Sequence, residues 1–120
     1  MSLYEELGGA AAISGALDRF YPKVLGDSVL SPYFDGIDMV ALKGKAEAFL
    51  ALAFGGPQTY DGVGLRAIHD RPRRQGMDDQ VFDRFMMHFG ATLQELGVPE
   101  DKIAQAAAIA EGARADVLGR

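Results

Sequence analysis

Cysteine and tryptophan are both absent from this 120-residue chain. Without cysteine there can be no disulfide, no thiolate–metal site and no cysteine nucleophile. Long hydrophobic runs are missing as well. No stretch approaches the roughly 18 consecutive apolar residues of a membrane span, and the opening MSLYEELGG lacks the basic-then-apolar profile of a secretory leader. Positive charge is in the minority: 12 Lys and Arg against 17 Asp and Glu leave a net charge of −5. Nucleic acid or anionic lipid would therefore need a local basic stripe to bind, and neither is expected as a partner. The two histidines, His69 and His88, stand 19 positions apart, which is not the one-turn spacing of a two-histidine metal motif. No GxSxG, Walker or GxGxxG signature occurs, so hydrolase, P-loop and dinucleotide readings have no foothold.

What the chain does have is an ordinary globular balance, 48% apolar and 24% charged. Its length fits a single domain over 1–120, expected to be soluble and cytoplasmic. Fifteen glycines and five prolines punctuate it. Ser2 with Glu5 fits a capping box for a first helix, Leu3 to Leu7, stopped by Gly8 and Gly9. Ile13, Leu17, Phe20, Tyr21, Val24 and Leu25 then recur at offsets 0, 4, 7, 8, 11 and 12, one face of a second helix. Pro22 falls inside this run and predicts a kink. LSPYF predicts a short turn of helix ending at Gly36.

Asp38 predicts the cap of a third long helix with Leu42, Ala46, Phe49, Leu50 and Ala53 on one face, ended by Gly55-Gly56-Pro57. Residues 57–64 carry no periodic stripe and predict an ordered loop. Leu65, Ile68 and His69 predict one helical turn closed by Pro72. Asp78 or Asp79 caps an amphipathic helix with Phe82, Phe85, Met86, Phe89, Leu93 and Leu96 inward, stopped by Gly97. Pro99 opens a last helix towards Leu118, with Ile103, Ala106, Ala107, Ala110 and Val117 inward. No segment alternates with period two, so the fold class is all-α.

Few residues are available for chemistry. His69 stands on a short apolar turn after a glycine-punctuated loop, where it serves either as a hydrogen-bonded core histidine or as a single ligand facing an apolar slot. His88, beside the inward stripe of its helix, reads as structural or surface. Tyr21 lies on the inward stripe, and a buried phenol wants a partner, a backbone carbonyl or a bound ligand. Arg71, Arg73 and Arg74 read as a solvated loop or as partners of an acidic group.

The motifs YEELGG, RFYPKVL, SPYFDGIDM, LKGK, FLALAFGGPQTYDG, LRAIH and LGVP, in that order from Leu3 to about Leu118, resemble the group I truncated haemoglobins. The resemblance implies a two-over-two helical sandwich around haem b. His69 matches the proximal iron ligand and Tyr21 the distal tyrosine that hydrogen-bonds a bound ligand. Phe34 matches the aromatic wedged against the haem face. Leu42, Ala46, Phe49 and Leu50 would line the distal pocket, Lys45 and Tyr60 would meet a propionate, and Ile68, Phe85 and Ile109 would pack against the macrocycle. The missing tryptophan argues against the family's other two groups. Many members carry glutamine at the position of Ala46 or Leu42, so here Tyr21 would lack a second donor beside it.

The function implied is reversible binding of O2 and other diatomic ligands such as NO and CO. An enzymatic alternative is nitric oxide dioxygenation to nitrate, with an external reductase restoring ferrous iron. A third reading from another class is a cofactor-free helical interaction module. Lys45 ligating iron when no gas is bound is a further expectation to weigh against a propionate contact. The chain is expected to be a monomer or weak dimer.

Overall fold

A computed structural model describes residues 2–55 and 69–120. Helices form over the stretches whose caps and stripes predict them, and one more forms over Asp70–Arg74, where a loop is expected. They are α1 (Leu3–Glu6), α2 (Gly9–Leu25), a 3-10 turn η1 (Ser31–Phe34), α3 (Met39–Ala53), α4 (Asp70–Arg74), α5 (Asp79–Glu95), α6 (Glu100–Gly112) and α7 (Arg114–Leu118), with no strand among the described residues. Side-chain oxygens start three of them. Ser2 accepts from the Glu5 N–H, Asp38 from the Val40 and Ala41 N–H groups, and Asp78 from the Val81 N–H, each satisfying donors that a helix start leaves without an internal partner. Gly8 allows the sharp passage from α1 to α2. Its φ is +112°, and a Cβ there would stand only 2.8 Å from that of Ala12.

α2 packs on α3 and on α5, and α5 packs on α6, giving two layers of paired helices. The core between them draws Ile13, Leu17, Phe20 and Val24 from α2, Leu50 from α3, and Val81, Phe89 and Leu93 from α5. Val24 and Leu30 are fully buried where α2 turns into η1. No described helix is long and apolar enough to cross a membrane.

Several expectations need correction. Leu25 and Leu96 are 44% and 40% exposed, so the stripes of α2 and α5 are one residue narrower at their C-terminal ends than the periodicity predicts. Pro22 stays inside α2, which continues to Leu25, and its carbonyl accepts from the Gly26 N–H at 3.0 Å, a continuity compatible with the expected kink. Pro72 does not close a helix. It is the third residue of α4, a position whose N–H would have no partner inside the helix anyway. Leu65 and Ile68, and the loop predicted over 57–64, lie outside the described residues.

Pro99 is the N-cap of α6 rather than its first residue, and the single last helix divides at Ala113 into α6 and α7. Ala107, expected inward, is exposed. What fastens α7 is Arg114, whose guanidinium lies 4.4 Å over the Phe82 ring and pairs with Asp79, Asp83 and Glu111.

Candidate functional site

The helical period of α2 points Phe20 into the core and sets Tyr21 at the edge of it. Tyr21 contacts the Phe20 ring at 5.3 Å and the Phe34 ring of η1 at 6.2 Å, both edge-on. Phe34 in turn meets Phe85 of α5 at 5.9 Å, and Phe85 lies 6.4 Å from Phe20. Two neighbouring elements, α2 and η1, and the distant α5 therefore close one circuit of four rings, in the offset geometries that aromatic quadrupoles favour. Phe20 is buried, whereas Tyr21, Phe34 and Phe85 are half-buried.

Ala46 and Phe49 of α3 and Ile109 of α6 are likewise half-buried and pack against the same core. Leu42 is half-buried one turn before Ala46, Leu50 is buried, and Lys45 is exposed between them.

Burial pushes the Tyr21 phenol up to about 12. Its hydroxyl has no hydrogen-bond partner among the described residues. His69 is the half-buried N-cap of α4, and its carbonyl accepts from the Arg73 N–H at 3.0 Å. Tyr60 and Ile68, also expected at the site, lie outside the described residues.

The three arginines after His69 do not form a solvated loop. They belong to α4, where Arg71 donates to the Asp35 carbonyl, Arg73 donates to the Val117 carbonyl, and Arg74 pairs with Asp70.

His88 belongs to a cluster that sequence reasoning misses. Its Nε2 lies 2.8 Å from Oδ2 of Asp27, and the Arg84 Nε donates to the same oxygen at 2.5 Å. Asp27 Oδ1 accepts from the Val29 N–H at 2.9 Å. The Asp27 side chain is only 4% exposed. Arg84 first, then His88, hold its carboxyl well below the usual carboxylate range. The available signal is Arg84 and His88 at i, i+4 on one helix face, but nothing local identifies a partner 57 and 61 residues away.

Comparison with known proteins places this geometry. A family profile described as bacterial-like globin matches residues 2–118. The chain is 42% identical over 110 residues to a group 1 truncated hemoglobin, GlbN, of Synechocystis, covering 91% of this chain and 89% of that protein. Another relative, the group 1 truncated hemoglobin of Tetrahymena thermophila, is 35% identical and spans 99% of this chain and 96% of its own length. Among solved structures, a Synechococcus 2/2 hemoglobin in the cyanomet state with covalently attached heme superposes with a TM-score of 0.93 at 39% identity over 100% of both chains. The truncated hemoglobin of Tetrahymena pyriformis in its Fe(III) form gives 0.88 at 34%, again over 100% of both.

Proposed function

Because this chain belongs to the bacterial-like globin family, in its group 1 truncated branch with haem as cofactor, we propose that it binds O2 and other diatomic ligands such as NO and CO reversibly, with His69 as the iron ligand and Tyr21 as the hydrogen-bond donor beside the gas. The observation that carries the reading is the Tyr21 phenol, desolvated, held in a circuit of rings and without a partner among the described residues.

The residues present fit the cofactor. A flat macrocycle needs apolar faces that the protein does not itself cover, and Tyr21, Phe34, Phe49, Phe85 and Ile109 are all half-buried against the core. Haem iron would be held by an imidazole nitrogen, which His69, immediately ahead of α4, would supply. Haem iron, when bound, supplies the open coordination position at which a diatomic gas can bind.

Tyr21 keeps its proton at all physiological pH values, because burial disfavours the phenolate, and so stays a donor. Ala46 and Leu42 present only carbon to the same pocket and add no second donor. The Tyr21 phenol, partly desolvated beside the rings of Phe20 and Phe34, would make a stronger hydrogen bond there than in open water. Lys45, exposed on α3, is a flexible cation available to a propionate.

The test is an absorption spectrum of purified protein in ferric, dithionite-reduced and air-exposed forms. A Soret band that moves on reduction and again with oxygen is expected. A colourless protein that also refuses added hemin would sink the reading. His69→Gly should lose the five-coordinate ferrous spectrum and regain it with added imidazole.

A further inference from the structure

α4 is a five-residue helix with no buried residue, yet it is the element that begins directly after His69. Core packing therefore does not hold it, and a helix this short is not stable by itself. Among the described residues, two guanidinium groups fasten it. Arg73 Nη1 donates to the Val117 carbonyl at 3.0 Å, and Arg71 Nη2 donates to the Asp35 carbonyl at 3.1 Å. Residues two apart on a helix emerge about 200° around the axis from one another, so the two arms leave α4 on different faces.

Both acceptors sit at the ends of elements. Val117 is in the last turn of α7, where carbonyls have no partner inside the helix. Asp35 follows Phe34 directly as the C-cap of η1. The same Arg73 that reaches Val117 with its side chain donates its main-chain N–H to the His69 carbonyl.

A second observation points the same way. Gly119 has φ +73°, and a Cβ on it would lie 3.0 Å from Arg73 Nε and 3.1 Å from Cδ. The bare glycine leaves the passage through which the guanidinium reaches the carbonyl.

We propose that Arg73 and Arg71 are positioning residues for His69. By tying α4 to the main chain of α7 and of the η1 corner, they fix where the imidazole stands relative to the iron. The inference rests on His69 being the iron ligand. The arginines act through the seat of α4 rather than on the cofactor, and the reader of that seat is the iron–histidine bond.

The experiment is resonance Raman spectroscopy of ferrous, ligand-free holoprotein, reading the iron–histidine stretching band, together with the rate of haem transfer to a scavenging apoglobin. Arg73→Met and Arg71→Met should each shift and broaden the band. Haem loss should quicken roughly fivefold per variant, the worth of one ordinary hydrogen bond. Arg73→Lys, which keeps a cationic donor, should return the band part of the way. Gly119→Ala should mimic Arg73→Met.

Val24→Ala, made in the fully buried α2 core, serves as the control: it should lower Tm and leave the band in place. A band unmoved in both arginine variants but lost in His69→Gly overturns the proposal and leaves the axial role of His69 standing. A band that persists in His69→Gly overturns both. If Val24→Ala moves the band as the arginine variants do, the shift reports general loosening and the proposal fails.

Discussion

His88 Nε2 rests 2.8 Å from a carboxylate oxygen of Asp27, joining the middle of α5 to the corner where α2 ends. The same oxygen takes the Nε–H of Arg84, so one buried carboxylate holds two side chains of the facing helix and the corner's own main chain at Val29. Lys23 and Glu95 add an ion pair between the same two helices.

Asp27→Asn should lower Tm at neutral pH. The native carboxyl sits below its ordinary value of 3.8, chiefly through Arg84. The stability it gives is therefore fully present above 3.8 and is lost as pH falls from there through the lower folded value. The Tm gap between parent and variant should accordingly narrow on acidification below about pH 4. Thermal melts across about pH 2 to 7 would check this, and a gap that stays constant would exclude the carboxylate as its source.

Tyr21→Phe removes the one hydroxyl assigned to the ligand. A hydrogen bond to a group bearing charge is worth about 1.5–3 kcal/mol, so oxygen dissociation should quicken roughly 10- to 100-fold in stopped-flow measurements. The phenol titrates at about 12 in the folded chain, against an ordinary value of 10.0. Its contribution to folding stability is thus fully present below pH 10 and lost as pH rises through about 12, so Tyr21→Phe should flatten the alkaline fall in Tm.

Leu30→Ala should cost about 2–5 kcal/mol in chemical denaturation of the cyanide-bound ferric protein. Leu30 is fully buried and joins α2 to η1, in a core packed too densely to close over the space left behind.

Gly8→Ala combines a positive φ of +112° with a Cβ approach of 2.8 Å to Ala12. Strain of this kind costs about 1–3 kcal/mol. Gly90→Ala meets nothing within 4 Å on the helical α5 and should be neutral or mildly stabilising in the same assay.

Most of the helices are legible in the sequence because their burial is periodic. The stripe from Ile13 to Val24 is an i, i+4, i+7 pattern, and local caps such as Asp38 and Asp78 mark where helices begin. Pairings that cross the sequence leave no such trace. Asp27 lies in a turn and looks like any surface aspartate, and only the packing of α2 on α5 buries it beside Arg84 and His88. The division at Ala113 comes directly after Gly112, the one helix-weakening residue in an alanine-rich run. It follows from Arg114 reaching back to α5. The motifs of the resemblance single out Tyr21 and Phe34, and the inward stripe of its helix singles out Phe85. That their rings touch, and that the arginines of α4 hold main-chain carbonyls, depends on tertiary packing that no local pattern encodes.

The helix that carries Tyr21 and the helix that follows His69 are anchored unequally. Five α2 residues are buried beside Tyr21, and the corner below it is pinned to α5, whereas α4 has no buried residue at all. Local opening follows such differences, since segments with few buried contacts unfold at the lowest free-energy cost. Amide protons of the last turn of α2 should exchange with solvent only on global unfolding, while those of α4 exchange through small, frequent fluctuations. On the proposed assignment, haem would leave past His69 rather than past Tyr21.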